Sequence, residues 1–189
     1  EALHYFVTTP RPGSPLNGGI AFFAAGNSAL DCEFPASYPE VVCVTSIGTD
    51  FTPSTFTSYG PAADITAPGG DLYYHNNVAG RVLSTLPSIK GGYGYMAGTS
   101  MSTPHASGVA ALGLSYAKKL GKTFQPDEFR SMVLASVNDL EPYLTGLKRP
   151  TNSGAIDLTR YKGKMGSGMI DAYKMLMAVR GVPAITVPQ

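Results

Sequence analysis

The eight residues Gly98-Thr99-Ser100-Met101-Ser102-Thr103-Pro104-His105 constrain this chain more than any other stretch. They lead into a run, Ala106 to Leu120, that is small and apolar on nearly every face, with Gly108-Val109-Ala110-Ala111-Leu112-Gly113-Leu114 at its centre. A helix of that composition is expected to be buried all round rather than amphipathic. Pro104 falls in its first turn, where the missing N–H has no intrahelical partner to lose. Ser100 is thereby predicted at the helix mouth, where free backbone N–H groups and the positive end of the dipole stabilise developing negative charge. Serine is also a common helix N-cap, so the residue alone does not separate a cap from a nucleophile.

A second feature lies upstream. Ile20-Ala21-Phe22-Phe23-Ala24 is an apolar run of strand length that ends in Ala24-Ala25-Gly26-Asn27-Ser28. Taken by itself, Asn27 reads as a turn residue after glycine. Val41 to Ile47 is rich in β-branched residues and predicts another strand, and Asp64 to Ala67 a short one. Val82 to Leu86 and Tyr93 to Ala97 read as a hairpin that feeds directly into Ser100. One more helix opens at Pro126-Asp127-Glu128, with Phe129, Met132, Val133 and Val137 as its buried face. Helices are also expected over the first several residues and over about Asp171 to Val179. Strands alternating with helices predict an α/β layer structure with a mainly parallel sheet.

These motifs together resemble the subtilisin-like serine proteases. The Gly98 to His105 string is similar to the family's nucleophile motif, and Ala24-Ala25-Gly26-Asn27 to the segment that closes a central strand there. Phe34-Pro35-Ala36-Ser37-Tyr38-Pro39-Glu40-Val41, Asp64-Ile65-Thr66-Ala67-Pro68-Gly69 and Gly166-Ser167-Gly168-Met169-Ile170-Asp171-Ala172 resemble further family passages in the family's order. The likeness runs from Ile20 to Val179 and is looser between Asp139 and Lys164. It implies a three-layer αβα fold and a serine endopeptidase that forms an acyl-enzyme on Ser100. The Asn27 side chain would donate to the oxyanion. Ala24, Ala25, Gly26, Gly98 and Thr99 would line the pocket for the residue preceding the scissile bond. Glu33 would sit at that pocket's floor and favour Lys or Arg there by charge pairing; as a plain loop residue it would instead be solvated. Met101, beside the nucleophile, is a candidate for oxidative inactivation.

The family's triad also needs an aspartate from an Asp-Ser/Thr-Gly strand end and a histidine from a His-Gly helix start. Neither sequence occurs in these residues. His105 follows Ser100 on the same helix and is expected to point into the packing beneath, while His4 and His75 read as solvated. A serine hydroxyl without a base is a weak nucleophile at neutral pH. Residues 1–189 are therefore expected to be the C-terminal portion of one catalytic domain, inactive alone. The N-terminal half would come from the same gene product or a separate chain. The alternative is a non-catalytic module of this fold that binds a peptide or partner.

Composition fits one globular core: 43% of residues are hydrophobic, with 22 glycines and 15 prolines for tight loops. A formal charge of +1 argues against a nucleic-acid partner, and the pairs Lys118-Lys119 and Lys148-Arg149 read as solvated surface. No apolar run approaches the roughly 18 residues that span a bilayer. Cys32 and Cys43 are expected to be unpaired, a disulfide being the less favoured reading, and no Cys/His spacing suggests zinc. The chemistry requires no cofactor. In some members of the family, backbone carbonyls around the Ala36 to Val41 loop hold a cation, so a structural calcium is open here. Family resemblance further implies a peptide or protein substrate and an extracytoplasmic or secreted protein.

Overall fold

The computed structural model describes residues 1–73 and 78–185; His75 lies outside them. Helix α1 (Ala2–Thr8) leads through a Pro/Gly-rich loop to β1 (Ala21–Ala24), β2 (Val41–Ile47) and β3 (Ile65–Pro68). The hairpin strands β4 (Val82–Thr85) and β5 (Tyr93–Met96) precede α2 (Thr99–Lys119) and α3 (Pro126–Ala135). Four two-residue strands follow, β6 (Val137–Asn138), β7 (Leu147–Lys148), β8 (Ile156–Asp157) and β9 (Met169–Ile170), and α4 (Ala172–Arg180) closes the fold.

The main sheet has the order β1-β2-β3-β9-β6. Its first three pairings are parallel, and β6 is antiparallel to β9 at the edge. All seven residues of β2 are buried, which explains its unbroken Val-Val-Cys-Val run: a central parallel strand is covered on both faces. Alternate side chains serve opposite layers. Val42 and Val44 pack with Ile65, Ala67, Ala106, Ala110, Phe129, Val133, Met175 and Val179 beneath the helices. Cys43 faces the other way, into a small cluster with Ala25 and Ala36. At that sheet's far end Ile47 joins Tyr59, Leu140, Leu144 and Tyr161.

Two expectations are corrected here. Helix α2 is buried along one stripe only, Ala106, Ala110, Gly113 and Ala117, at the spacing of one helical face. Gly113 allows α4 to approach: a Cβ there would lie 2.8 Å from Met175 Cε. The opposite side, including Pro104, His105, Gly108, Ala111 and Leu112, is exposed because described residues cover only one flank. Lys148 is also not solvated. It is 2% exposed, with Nζ 2.8 Å from Asp71 and 3.6 Å from Asp50, and it donates to Thr52 Oγ1 and the Pro53 carbonyl. A lysine taken out of water needs such a carboxylate partner. Lys118 and Lys119 are exposed as expected.

Phe129 and Val133 form the buried face of α3, whereas Val137 lies beyond it in β6 because the helix ends at Ser136. Among the described residues no helix is long and apolar enough to cross a membrane.

Candidate active site

The end of β1 and the start of α2 are tied together by hydrogen bonds. Ala25 N–H donates to the Val44 carbonyl at 3.0 Å and Ser58 N–H to the Gly26 carbonyl at 2.9 Å, which holds the strand end in the sheet. Gly26 turns the chain with φ of 112°, a conformation that favours glycine. A Cβ there would also meet Ser58 Oγ at 3.0 Å. Asn27 is thereby directed toward Thr99, a fully buried residue at the first turn of α2. Thr99 donates to Asn27 Oδ1 twice, from its N–H at 2.9 Å and its hydroxyl at 3.0 Å, while that hydroxyl accepts from Gly26 N–H at 3.3 Å. A backbone N–H can only donate, so the amide atom facing it is the oxygen, and Nδ2 keeps its donors for something else.

The Asn27 amide lies beside Gly98. A point one Cβ bond out from Gly98 lies 3.6 Å from Asn27 Nδ2, 3.7 Å from Asn27 Oδ1 and 3.7 Å from the backbone nitrogen of Ser100. In the first turn of α2 the N–H groups of Met101 and Ser102 go to the Gly98 carbonyl and that of Thr99 goes to Asn27. The N–H of Ser100 has no protein acceptor among the described residues, as first-turn groups commonly do not. An unpaired Nδ2 and an unpaired N–H thus lie at the helix start that carries the exposed Ser100.

The family model described as the Subtilase family matches residues 14–158. The chain belongs to that family. It is 30% identical over 171 residues to the extracellular basic protease of Dichelobacter nodosus, a match covering 87% of this chain and 24% of that protein. The major intracellular serine protease of Bacillus subtilis is 35% identical over 127 residues, 64% of this chain and 35% of that protein. Among solved structures, a protease from Pseudoalteromonas arctica superposes with a TM-score of 0.64 at 29% identity, covering 86% of this chain and 43% of that one. This subtilase chain thus spans less than half the length of these relatives.

Neither described histidine, His4 or His105, adjoins Ser100. His105 is exposed, not packed beneath the helix as the sequence suggested. Five helical residues place it on a different face from Ser100, and its Nδ1 bonds back to the Met101 carbonyl at 2.8 Å. It faces the β4 residues Val82 and Leu83 instead. His4 is exposed on α1, beside Glu40, Asp127 and Arg130.

Of the other subtilase positions singled out in the sequence, Gly98, Thr99 and Ala25 are buried and Ala24 and Gly26 half-buried around the Asn27 amide. Glu33 is exposed on the turn before Phe34. Its neighbour Cys32 packs against Ala25 and Cys43. The two cysteines are unbonded, and hydrogen bonding to Cys32 together with burial pushes the Cys43 thiol well above its ordinary range. The carbonyls of Pro35 and Tyr38 accept from Tyr38 and Val41, and the Val41 carbonyl accepts from the Arg130 guanidinium at 3.3 Å. Among the described residues no three His, Cys, Asp or Glu side chains cluster as metal ligands.

Sequence reading missed one wall of the site altogether. A cleft of about 480 Å³ opens at Asn27 and runs past Ser28, Thr55 and Phe56 to Asn152, Ser153 and Arg160. Its far side comes from the stretch in which the family resemblance is loosest, so no motif marked it.

Proposed function

We propose that Ser100 is the nucleophile of a serine endopeptidase, and that Asn27 Nδ2 and the Ser100 N–H bind the oxyanion. The single observation that carries this reading is that Thr99 takes the Asn27 Oδ1, which leaves Nδ2 unpaired at the same helix start as the unpaired Ser100 N–H and the exposed Ser100 side chain. In the reaction, Ser100 Oγ attacks the peptide carbonyl and its proton passes to a base. The carbonyl oxygen becomes negative where the two donors point, and collapse expels the amine, which takes the proton. Water then releases the acyl group by the same route. Donors fixed before the charge develops stabilise the transition state more than the ground state.

The base and its orienting carboxylate are assigned to residues outside the described ones, because no described histidine adjoins Ser100. The exposed flank of α2, with His105, Ala111 and Leu112, is the surface against which that remaining part of the domain would pack. The substrate is a peptide or protein, with Ala24, Ala25, Gly26, Gly98 and Thr99 flanking the residue before the scissile bond. Glu33 favours a basic side chain there, and a peptide series with Lys or Leu at that position tests it. Work outside the cytoplasm is the reading favoured by the extracellular relative, and cell fractionation tests it.

Hydrolysis of peptides by the protein assembled with its base tests the whole reading. Ser100→Ala should lower kcat by about 10⁴-fold or more. Activity that survives that change would overturn the assignment and favour a module that binds without cutting.

A further inference from the structure

We propose that Arg160 selects an acidic side chain on the leaving-group side of the scissile bond. The inference rests on the peptidase reading above and adds a substrate class to it. In that reading Asn27 Nδ2 marks the scissile carbonyl and Ala24 to Gly26 flank the residue before it. The cleft of about 480 Å³ is lined by Asn27, Ser28 and Phe56 and not by those three residues. An extended peptide advances about 3.3 Å per residue. A substrate laid along Ala24 to Gly26 therefore sends the residues beyond the scissile bond into this cleft.

Arg160 is the only charged residue lining it among the described ones, and no carboxylate does. Its guanidinium is already oriented. Both Nε, at 3.1 Å, and Nη2 donate to the hydroxyl of Tyr59. The guanidinium carbon lies 5.3 Å from the Tyr59 ring centre and 5.5 Å from that of Tyr161. Among the described residues no carboxylate pairs with it, and a guanidinium has five N–H donors, so a forked pair remains open to an incoming carboxylate. A held side chain loses little further freedom when it binds. The wall that carries it is held as well: Lys148 at the start of this stretch is locked between Asp71 and Asp50, and Thr151 N–H donates to the Tyr73 carbonyl at 2.7 Å.

The test uses Ser100→Ala protein titrated with two peptides identical up to the scissile bond, carrying Glu or Gln in the two positions after it. The Glu peptide should bind roughly three- to tenfold more tightly, the range of one charge-assisted pair at a partly solvated site. Arg160→Gln should bring that ratio to about one, and Arg160→Lys should keep part of it, which a merely structural role for Arg160 would not do. Equal binding of both peptides, or an unchanged ratio in Arg160→Gln, overturns the proposal. Cleavage of the same peptides by the protein assembled with its base, Ser100 intact, reports on the peptidase reading alone: no cleavage by that assembled protein with a retained Glu preference would sink that reading and leave the Arg160 site standing as a binding site.

Discussion

Thr99 grips the Asn27 side-chain oxygen with both its backbone N–H, at 2.9 Å, and its hydroxyl, at 3.0 Å. A buried residue at the helix start thus decides which way a surface amide points. Thr99→Val keeps the shape and the backbone bond but removes the hydroxyl, and it leaves Gly26 N–H without its acceptor. Stability should fall by about 1–2 kcal/mol. In the active enzyme kcat should fall about tenfold, with KM little changed, because the amide then samples orientations that miss the oxyanion. Thermal melts and peptide kinetics on the same preparations check both, and an unaltered kcat would contradict the positioning role.

Asn27→Ala removes the side-chain donor itself. The expected loss is about 10²–10³ in kcat, the range known for deleting such an amide in a subtilisin. Substrate binding should change little, since the donor acts on charge that appears only in the transition state. A rise in KM at constant kcat would instead place Asn27 in ground-state binding.

The parts of the molecule that were legible in sequence are those whose pattern is local. The Val41 to Ile47 run reads as a buried strand because nearly every residue is β-branched or apolar, and the Gly98 to His105 string marks a helix start by its proline and small residues. Lys148 was illegible for the opposite reason: a Lys-Arg pair in a loop looks solvated until Asp50 and Asp71 are brought to it by the fold. Strands of two residues, such as β6 and β9, are too short to show any periodicity. The composition of α2 says that its faces are apolar but not which neighbours cover them. Arg160 finds Tyr59 across 101 residues of chain, a pairing with no sequence signature.

Lys148 offers a stability test. Lys148→Ala leaves the Asp71 carboxylate, whose side chain is 5% exposed, buried without its counter-charge. The expected cost is about 3–5 kcal/mol, read by urea unfolding. A loss below about 1 kcal/mol would mean that the bonds from Thr55 and Tyr73 to Asp71 suffice alone.

Asp171 caps α4, accepting from Lys174 N–H at 2.9 Å and from the Asn138 amide at 2.7 Å. Burial pushes its carboxyl up, but those bonds and the neighbouring charge of Lys174 outweigh it and hold the group below the ordinary carboxylate range. A depressed carboxylate contributes stability that is complete above its unfolded value, near 4, and is lost as pH falls through the lower folded value. Asp171→Asn retains a capping oxygen and removes the charge. The stability advantage of the native protein over Asp171→Asn should therefore be present at pH 7 and shrink below about pH 4. A gap that is constant from pH 7 to pH 3 would refute this.

The most direct measurement is fluorophosphonate labelling, with mass spectrometry to locate the adduct and circular dichroism to establish folding. Residues 1–189 alone, folded, should stay unlabelled if the base lies outside the described residues, as proposed. The same residues assembled with the part of the domain that supplies histidine and aspartate should carry the adduct on Ser100. An assembled, folded protein that takes the adduct elsewhere, or not at all, would contradict the assignment of Ser100 as the nucleophile.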